Sequence, residues 1–314
     1  MSNKLEEKDW DLLLHRIRDG KCTPFLGAGI CAGTLPLGAQ IARAWAGEYH
    51  YPLPDTGDLA RVAQFLAVRY DPMFPKEELL KQFFLDCDSP DFSAADEPHS
   101  VLAGLPLPVY MTTNYDGFMV QALRKHNKNP KRELCCWNTM VKNTPSVFTT
   151  NPTYVPTPAD PIVFHLHGYD EVAESLVLTQ DDYLDFLVNI ARDQELLPHK
   201  IQRALTGSSL LFIGYGLEDW SFRVLFRGLV TATEPSLRRI SLTVQLPPAT
   251  KASEAEATKA PEAEATKAPE ADQESMQRYL DAYFGRIDVR VYWGTAKEFA
   301  VELRQRWKEF THDD

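Results

Sequence analysis

The sequence predicts an α/β fold: a parallel sheet with helices on both faces and an α-helical insertion. Three observations predict it. Short apolar, β-branched runs stop at glycine or at carbonyl-bearing side chains and pass into helical patterns, as in Val109-Tyr-Met-Thr-Thr-Asn-Tyr-Asp-Gly117. Strand, glycine turn and helix start occur twice, through Cys22-Thr-Pro-Phe-Leu26 into Gly27-Ala-Gly29 and through Ser208-Ser-Leu-Leu-Phe-Ile213 into Gly214-Tyr-Gly216. Between these two turns, residues 51–106 carry helical stripes and no strand pattern, which reads as an insertion over the ligand-binding edge of the sheet.

The elements follow in order. Trp10, Leu13, Leu14 and Ile17 lie at helical spacing within Glu7 to Arg18, and Gly20 closes that helix. After the first strand and its glycine turn, a helix runs from Gly38 through Tyr49. In the insertion, Leu59, Val62, Ala63, Leu66 and Tyr70 form one stripe and Leu79, Leu80, Phe83 and Phe84 another, both read as core, with a third helix at Pro98 to Ala103. Val109 onward is a buried strand whose C-terminal end delivers Asn114 and Asp116. In an open parallel sheet that end binds ligands, while the competing reading is an Asx turn into a helix from Phe118 to His126.

The Pro- and Thr-rich passage from Asn127 to Asp160 is an extended loop, with Leu134 to Asn138 as one arm of a hairpin. Pro161 to Gly168 is a strand carrying His165 and His167 on one face if it stays regular. Their spacing could suit a metal, yet no carboxylate or cysteine completes an obvious ligand set. Leu176 to Thr179 reads as a strand ending in an N-cap, followed by a helix with Asp181 and Asp182 in its first turn. Glu195 to Leu205 and Trp220 to Val230 are helices, Arg239 to Leu246 a strand. Glu254-Ala-Glu-Ala-Thr-Lys-Ala-Pro261 repeats as Glu262 to Pro269, so residues 247–272 are expected to be a flexible low-complexity loop. A helix at Gln273 to Phe284, a strand at Ile287 to Trp293 and a helix at Ala296 to Phe310 complete one domain over residues 1–314.

Composition excludes some roles. With 314 residues, 25% charged and 44% hydrophobic, the chain can bury a large core. The 44 acidic against 33 basic residues give net charge -11, which opposes association with nucleic-acid phosphates. Met1 to Asp9 holds no apolar signal core, and no apolar run approaches the roughly 18 residues that span a bilayer, so a cytoplasmic protein without membrane contact is expected. Five cysteines, an odd count with no C-x-x-C pair, suggest neither a Cys-based zinc site nor a disulfide framework.

Taken together, Phe25-Leu-Gly-Ala-Gly29 with Leu35-Pro36, Thr113-Asn-Tyr-Asp116, His167-Gly168 with Leu176 to Tyr183, and Leu211-Phe-Ile-Gly-Tyr-Gly216 with Asp219 resemble a bacterial sirtuin-like domain. Each piece is short; their order and spacing carry the resemblance. It implies a Rossmann-like NAD+ fold. It also implies that Gly27, Ala28 and Gly29 line the pyrophosphate, that Asn114 and Asp116 face the nicotinamide ribose and carboxamide, and that His167 is the general base. Gly214 and Tyr215 would approach the adenosine half, with Thr243 or Gln245 nearby. The departures are instructive. The four-cysteine zinc ribbon and the Asp-Phe-Arg of deacetylating sirtuins are missing, and Cys31 stands where that family usually has Ser.

The resemblance is therefore to ribbon-lacking bacterial relatives, among them NAD+ hydrolases that deplete NAD+ during phage infection. It implies NAD+ as substrate, catalysis by Asn114, His167 and Asp116, no zinc, a homo-oligomer, and a hexameric HerA-type ATPase as partner. The alternatives are a module that senses NAD+ or ADP-ribose, and a protein deacylase or ADP-ribosyltransferase.

Overall fold

In the computed structural model, which describes residues 5–216, 240–246, 270–286 and 288–312, the strands assemble into one seven-stranded sheet. They are β1 (Cys22–Leu26), β2 (Val109–Thr112), β3 (Lys131–Leu134), β4 (Ile162–His165), β5 (Ser209–Ile213), β6 (Ser241–Gln245) and β7 (Val289–Trp293). Their spatial order is β3-β4-β2-β1-β5-β6-β7, and every pairing is parallel. Without the edge strand β3, the other six follow the 3-2-1-4-5-6 order of a Rossmann sheet. The order reverses between β1 and β5, so the crevice beyond their C-terminal ends is the topological switch point.

Strands covered on both faces need near-continuous apolar sequence, with alternate side chains entering opposite cores. Phe25, Met111, Phe164 and Phe212 enter one core, and Leu26, Tyr110, Val163 and Ile213 the other. The helices are α1 (Glu7–Arg18), α2 (Gly38–Glu48), α3 (Leu59–Arg69), α4 (Phe74–Phe83), α5 (Pro98–Ala103), α6 (Phe118–Lys125), α7 (Val147–Thr150), α8 (Gln180–Arg192), α9 (His199–Gly207), α10 (Glu270–Gly285) and α11 (Ala296–His312). α1, α5, α6 and α11 cover one face through Trp10, Val101, Phe118 and Phe299, while α8, α9 and α10 cover the other through Phe186, Ile201 and Phe284.

A third core joins Trp45 of α2, Val62 and Leu66 of α3 and Leu79 of α4 to Leu176 and Leu178. The segment read as a helical insertion thus has two parts: α3 and α4 build this separate layer, whereas α5 belongs to the core of the sheet. No helix among the described residues is long and apolar enough to cross a membrane.

Several elements differ from expectation. Residues 131–134 form a parallel edge strand on β4, and no hairpin forms at Leu134 to Asn138. The Glu133 carboxylate accepts from the Ser146 hydroxyl and the Val147 amide, folding the following loop back onto β3. Leu176 to Thr179 is extended but is no strand: the Leu178 and Thr179 amides donate to the Asp182 side chain instead of to a neighbouring strand. The helix expected over Glu195 to Leu205 is split, with a 3-10 turn at Gln194–Leu196 and α9 beginning after Pro198, whose ring blocks continuation. Of the loop expected over 247–272, Glu270 onward opens α10, and the rest, like Trp220 to Val230 and the repeat, lies outside the described residues.

Candidate active site

The two glycine turns meet at the switch point. The Gly27 amide donates to the Ile213 carbonyl and the Gly29 amide to the Gly214 carbonyl, each at 2.9 Å. A Cβ on Gly27 would stand 2.9 Å from the Gly214 oxygen, and one on Gly29 would stand 2.9 Å from Gly214 Cα. Gly214 itself has φ +84°, and a Cβ there would lie 2.4 Å from the Ile30 nitrogen. The glycines therefore permit two turns to pack backbone on backbone. The resemblance implies that all three positions line a pyrophosphate; in the fold the amides of Gly27 and Gly29 are engaged, and Ala28 is the exposed member of the turn.

β2 brings Asn114 and Asp116 against this junction. Asn114 Nδ2 donates to the Gly27 carbonyl at 3.1 Å and lies 3.4 Å from Cys31 Sγ. Its backbone amide donates to the Thr112 hydroxyl at 2.9 Å. Asp116 is buried, and its Oδ1 accepts from the Phe118 amide at 3.0 Å. That bond is the Asx turn which starts α6. Its second oxygen, Oδ2, accepts from the Cys31 thiol at 3.3 Å. The turn and the site are thus built by the same carboxylate. Burial, and the negative Asp116 beside it, push the Cys31 thiol well above the ordinary cysteine range, so it carries its proton.

The two histidines diverge. His165 Nδ1 donates to the Asn114 carbonyl at 3.0 Å, and its Nε2 accepts from Arg132 Nε at 3.3 Å. It braces the backbone of Asn114. The strand ends at His165, and the chain bends at Leu166 and His167. The ring of His167 consequently lies edge-on to Tyr183 and Phe186, with centroids at 5.3 and 4.8 Å. Burial lowers both imidazoles to about 3, and for His165 the Arg132 charge adds to it. Both are neutral near pH 7. No hydrogen bond among the described residues joins the His167 ring to Asn114 or Asp116.

Tyr215 turns back into the sheet. Its phenol donates to the Leu26 carbonyl at 2.8 Å, takes the Thr113 hydroxyl at 2.9 Å, and its ring packs on Phe25 and Phe212. It stitches the ends of β1, β2 and β5 together. Thr243 and Gln245 are buried at the end of β6 and bond to each other at 2.7 Å.

Three participants were missed. His99 Nε2 lies 4.0 Å from Cys31 Sγ, and its Nδ1 donates to Glu97 at 2.7 Å. Arg132 ties His165 to the Tyr115 carbonyl and to Asp170. Glu97-Pro98 carries the signature of a helix start, but nothing local announces that His99 meets a cysteine 68 residues earlier. Among the described residues, Cys31, His99 and Asp116 form a group whose donor atoms all lie within 4.8 Å of one another.

With known proteins, the following likenesses exist. The family model described as SIR2-like domain matches residues 108–266, from just before β2 to beyond β6. An NAD(+) hydrolase ThsA of Enterococcus faecium is 27% identical over 210 residues, covering 65% of this chain and 38% of that protein. An NAD(+) hydrolase ThsA of Cytobacillus dafuensis is 29% identical over 212 residues, covering 66% of this chain and 37% of that protein. A third, from Bacillus cereus (strain MSX-D12), is 29% identical over 143 residues, 46% of this chain and 26% of that one. The chain thus spans less than two-fifths of the length of the curated relatives it matches.

Proposed function

The chain belongs to the SIR2-like domain family, and on that footing we propose that it hydrolyses NAD+ to ADP-ribose and nicotinamide. The observation that carries this reading is the convergence of Asn114 and Asp116 on the paired glycine turns at the switch point of a Rossmann-ordered sheet, where such sheets bind dinucleotides. That the relatives from Enterococcus faecium and Cytobacillus dafuensis are NAD(+) hydrolases supports the same chemistry.

Cleavage breaks the bond between the nicotinamide nitrogen and the ribose carbon. The electron pair goes to the ring nitrogen, nicotinamide leaves neutral, and an oxocarbenium-like centre is left for water. The leaving group needs no proton, so the protein contributes position and charge stabilisation. In this reading the Asn114 amide orients the water or the ribose, Asp116 anchors the carboxamide, and neutral His167 accepts the proton that water or a ribose hydroxyl gives up. Gly27, Ala28 and Gly29 line the pyrophosphate. Gly214 and Tyr215 border the adenosine half, Tyr215 as a packed wall.

The test is incubation of the purified protein with NAD+. Equal amounts of nicotinamide and ADP-ribose are expected. Nucleotide binding with no nicotinamide release would make the chain a sensor, and release that requires a peptide or nucleic-acid acceptor would make it a transferase or deacylase. The proposal extends to a cytoplasmic homo-oligomer that works with a hexameric HerA-type ATPase to deplete NAD+ in anti-phage defence, supported by the resemblance to ribbon-lacking bacterial relatives. Light scattering of the chain alone and mixed with such an ATPase should give one larger co-eluting species; separate elution would remove the partner.

A further inference from the structure

The geometry points to a divalent-metal site of the zinc class at Cys31, His99 and Asp116, where α5 and the first glycine turn meet the end of β2. The donor set is one that zinc takes: a thiolate, an imidazole and a carboxylate. Cys31 Sγ lies 3.3 Å from Asp116 Oδ2 and 4.0 Å from His99 Nε2. Zinc bonds of about 2.0–2.3 Å set tetrahedral neighbours roughly 3.3–3.7 Å apart; the Cys31–Asp116 pair already has that spacing, and the three donor atoms, all within 4.8 Å of one another, close the rest on binding.

The surroundings orient each donor. Glu97 accepts the Nδ1–H of His99 at 2.7 Å, which fixes the tautomer and leaves the Nε2 lone pair turned toward the thiol. This is the carboxylate-imidazole arrangement that stands behind metal-binding histidines. Glu97 is itself held by the amides of His99 and Ser100. Phe118 engages Asp116 Oδ1 and leaves Oδ2 for the cluster, while Asn114 Nδ2 points at the sulfur, a donor suited to a thiolate. All three ligands are buried. A divalent ion with one thiolate and one carboxylate is neutral, which a buried site tolerates. In the metal-free protein the thiol proton occupies the Cys31–Asp116 contact; on binding it is released to solvent.

Asp116 and Asn114 also serve the proposed NAD+ site, so bound metal and substrate exclude one another and zinc inhibits turnover. That consequence rests on the NAD+ reading; metal binding does not. The experiment titrates the metal-free full chain with Co2+, then displaces it with Zn2+. One Co2+ per chain is expected, with tetrahedral visible bands and a thiolate charge-transfer band that Cys31→Ser abolishes. Glu97→Gln, which keeps all three ligands, should weaken zinc by about 10–100-fold. Circular dichroism of both variants separates lost folding from lost binding. Substoichiometric uptake by the parent, or a charge-transfer band that survives in folded Cys31→Ser, overturns the site. Binding as expected, without zinc inhibition of nicotinamide release, keeps the site and overturns its overlap with the NAD+ pocket.

Discussion

His165 is held at both ring nitrogens, by the Asn114 carbonyl and by Arg132, whereas His167 sits edge-on to Tyr183 and Phe186. Both are lowered from 6.5 to about 3, which has two consequences of known sign. Well above pH 6.5 neither the folded nor the unfolded chain protonates these rings. As pH falls from 6.5 toward 3, the unfolded chain binds protons that the folded chain refuses, so stability falls by about 1.4 kcal/mol per pH unit for each histidine. Denaturation followed from pH 7 to pH 5 should show that loss, and a folded His165→Gln variant should show a shallower one; an unchanged slope would remove His165 from the explanation. If His167 is the base of the proposed reaction, it stays neutral well into acid. The acid limb of kcat/KM should therefore lie well below pH 6.5, and a limb at the ordinary imidazole value would contradict the burial of His167 in the free enzyme. At this scale Asn114 and Asp116 were legible, because an apolar strand that stops at Asx residues is a local pattern. Glu97 and His99 were not: their meeting with Cys31 depends on how α5 packs on the sheet.

α8 shows what one side chain can fix at the scale of an element. Asp182 accepts from the amides of Leu178 and Thr179, while its own amide donates to Thr179 Oγ1, forming a capping box at the helix start. The same carboxylate pairs at 2.8 Å with Lys76 of α4, whose side chain is 3% exposed and lies over the Trp137 ring. The α2–α4 layer is thereby pinned next to the segment that follows His167. Asp182→Ala removes one arm of the capping box, leaves the Leu178 and Thr179 amides without their acceptor and strands a buried ammonium, so a cost of about 3–5 kcal/mol is expected by chemical denaturation. Lys76→Met should cost far less, since Asp182 keeps its backbone donors. Equal costs for the two would show that the ion pair, not the cap, carries the effect. Thr179 as N-cap was readable from the sequence. The strand expected before it was not realised, because Asp182 takes the amides that a ladder would need; likewise β3 joins β4 through a partner 31 residues away, beyond any local pattern.

Across the whole molecule, the parallel sheet, its two-sided cover and the helical layer followed from periodicity and glycine placement. The strand order did not, since nothing local says that β1 will lie between β2 and β5. That order is what turns two separate glycine turns into one junction and gives Asn114 its contact with Gly27. If this junction is a nicotinamide-ribose site, Asn114 is the side chain whose removal isolates chemistry from architecture: it is half-buried, and its loss leaves the Asp116 Asx turn and the Tyr215 stitch in place. The most direct measurement is the rate of nicotinamide release from saturating NAD+ by the purified parent and a folded Asn114→Ala variant, with nucleotide binding measured alongside. A loss of about 10²–10³-fold in rate with binding retained is expected for a positioned polar group aimed at developing charge; nicotinamide release as fast as the parent's would contradict it.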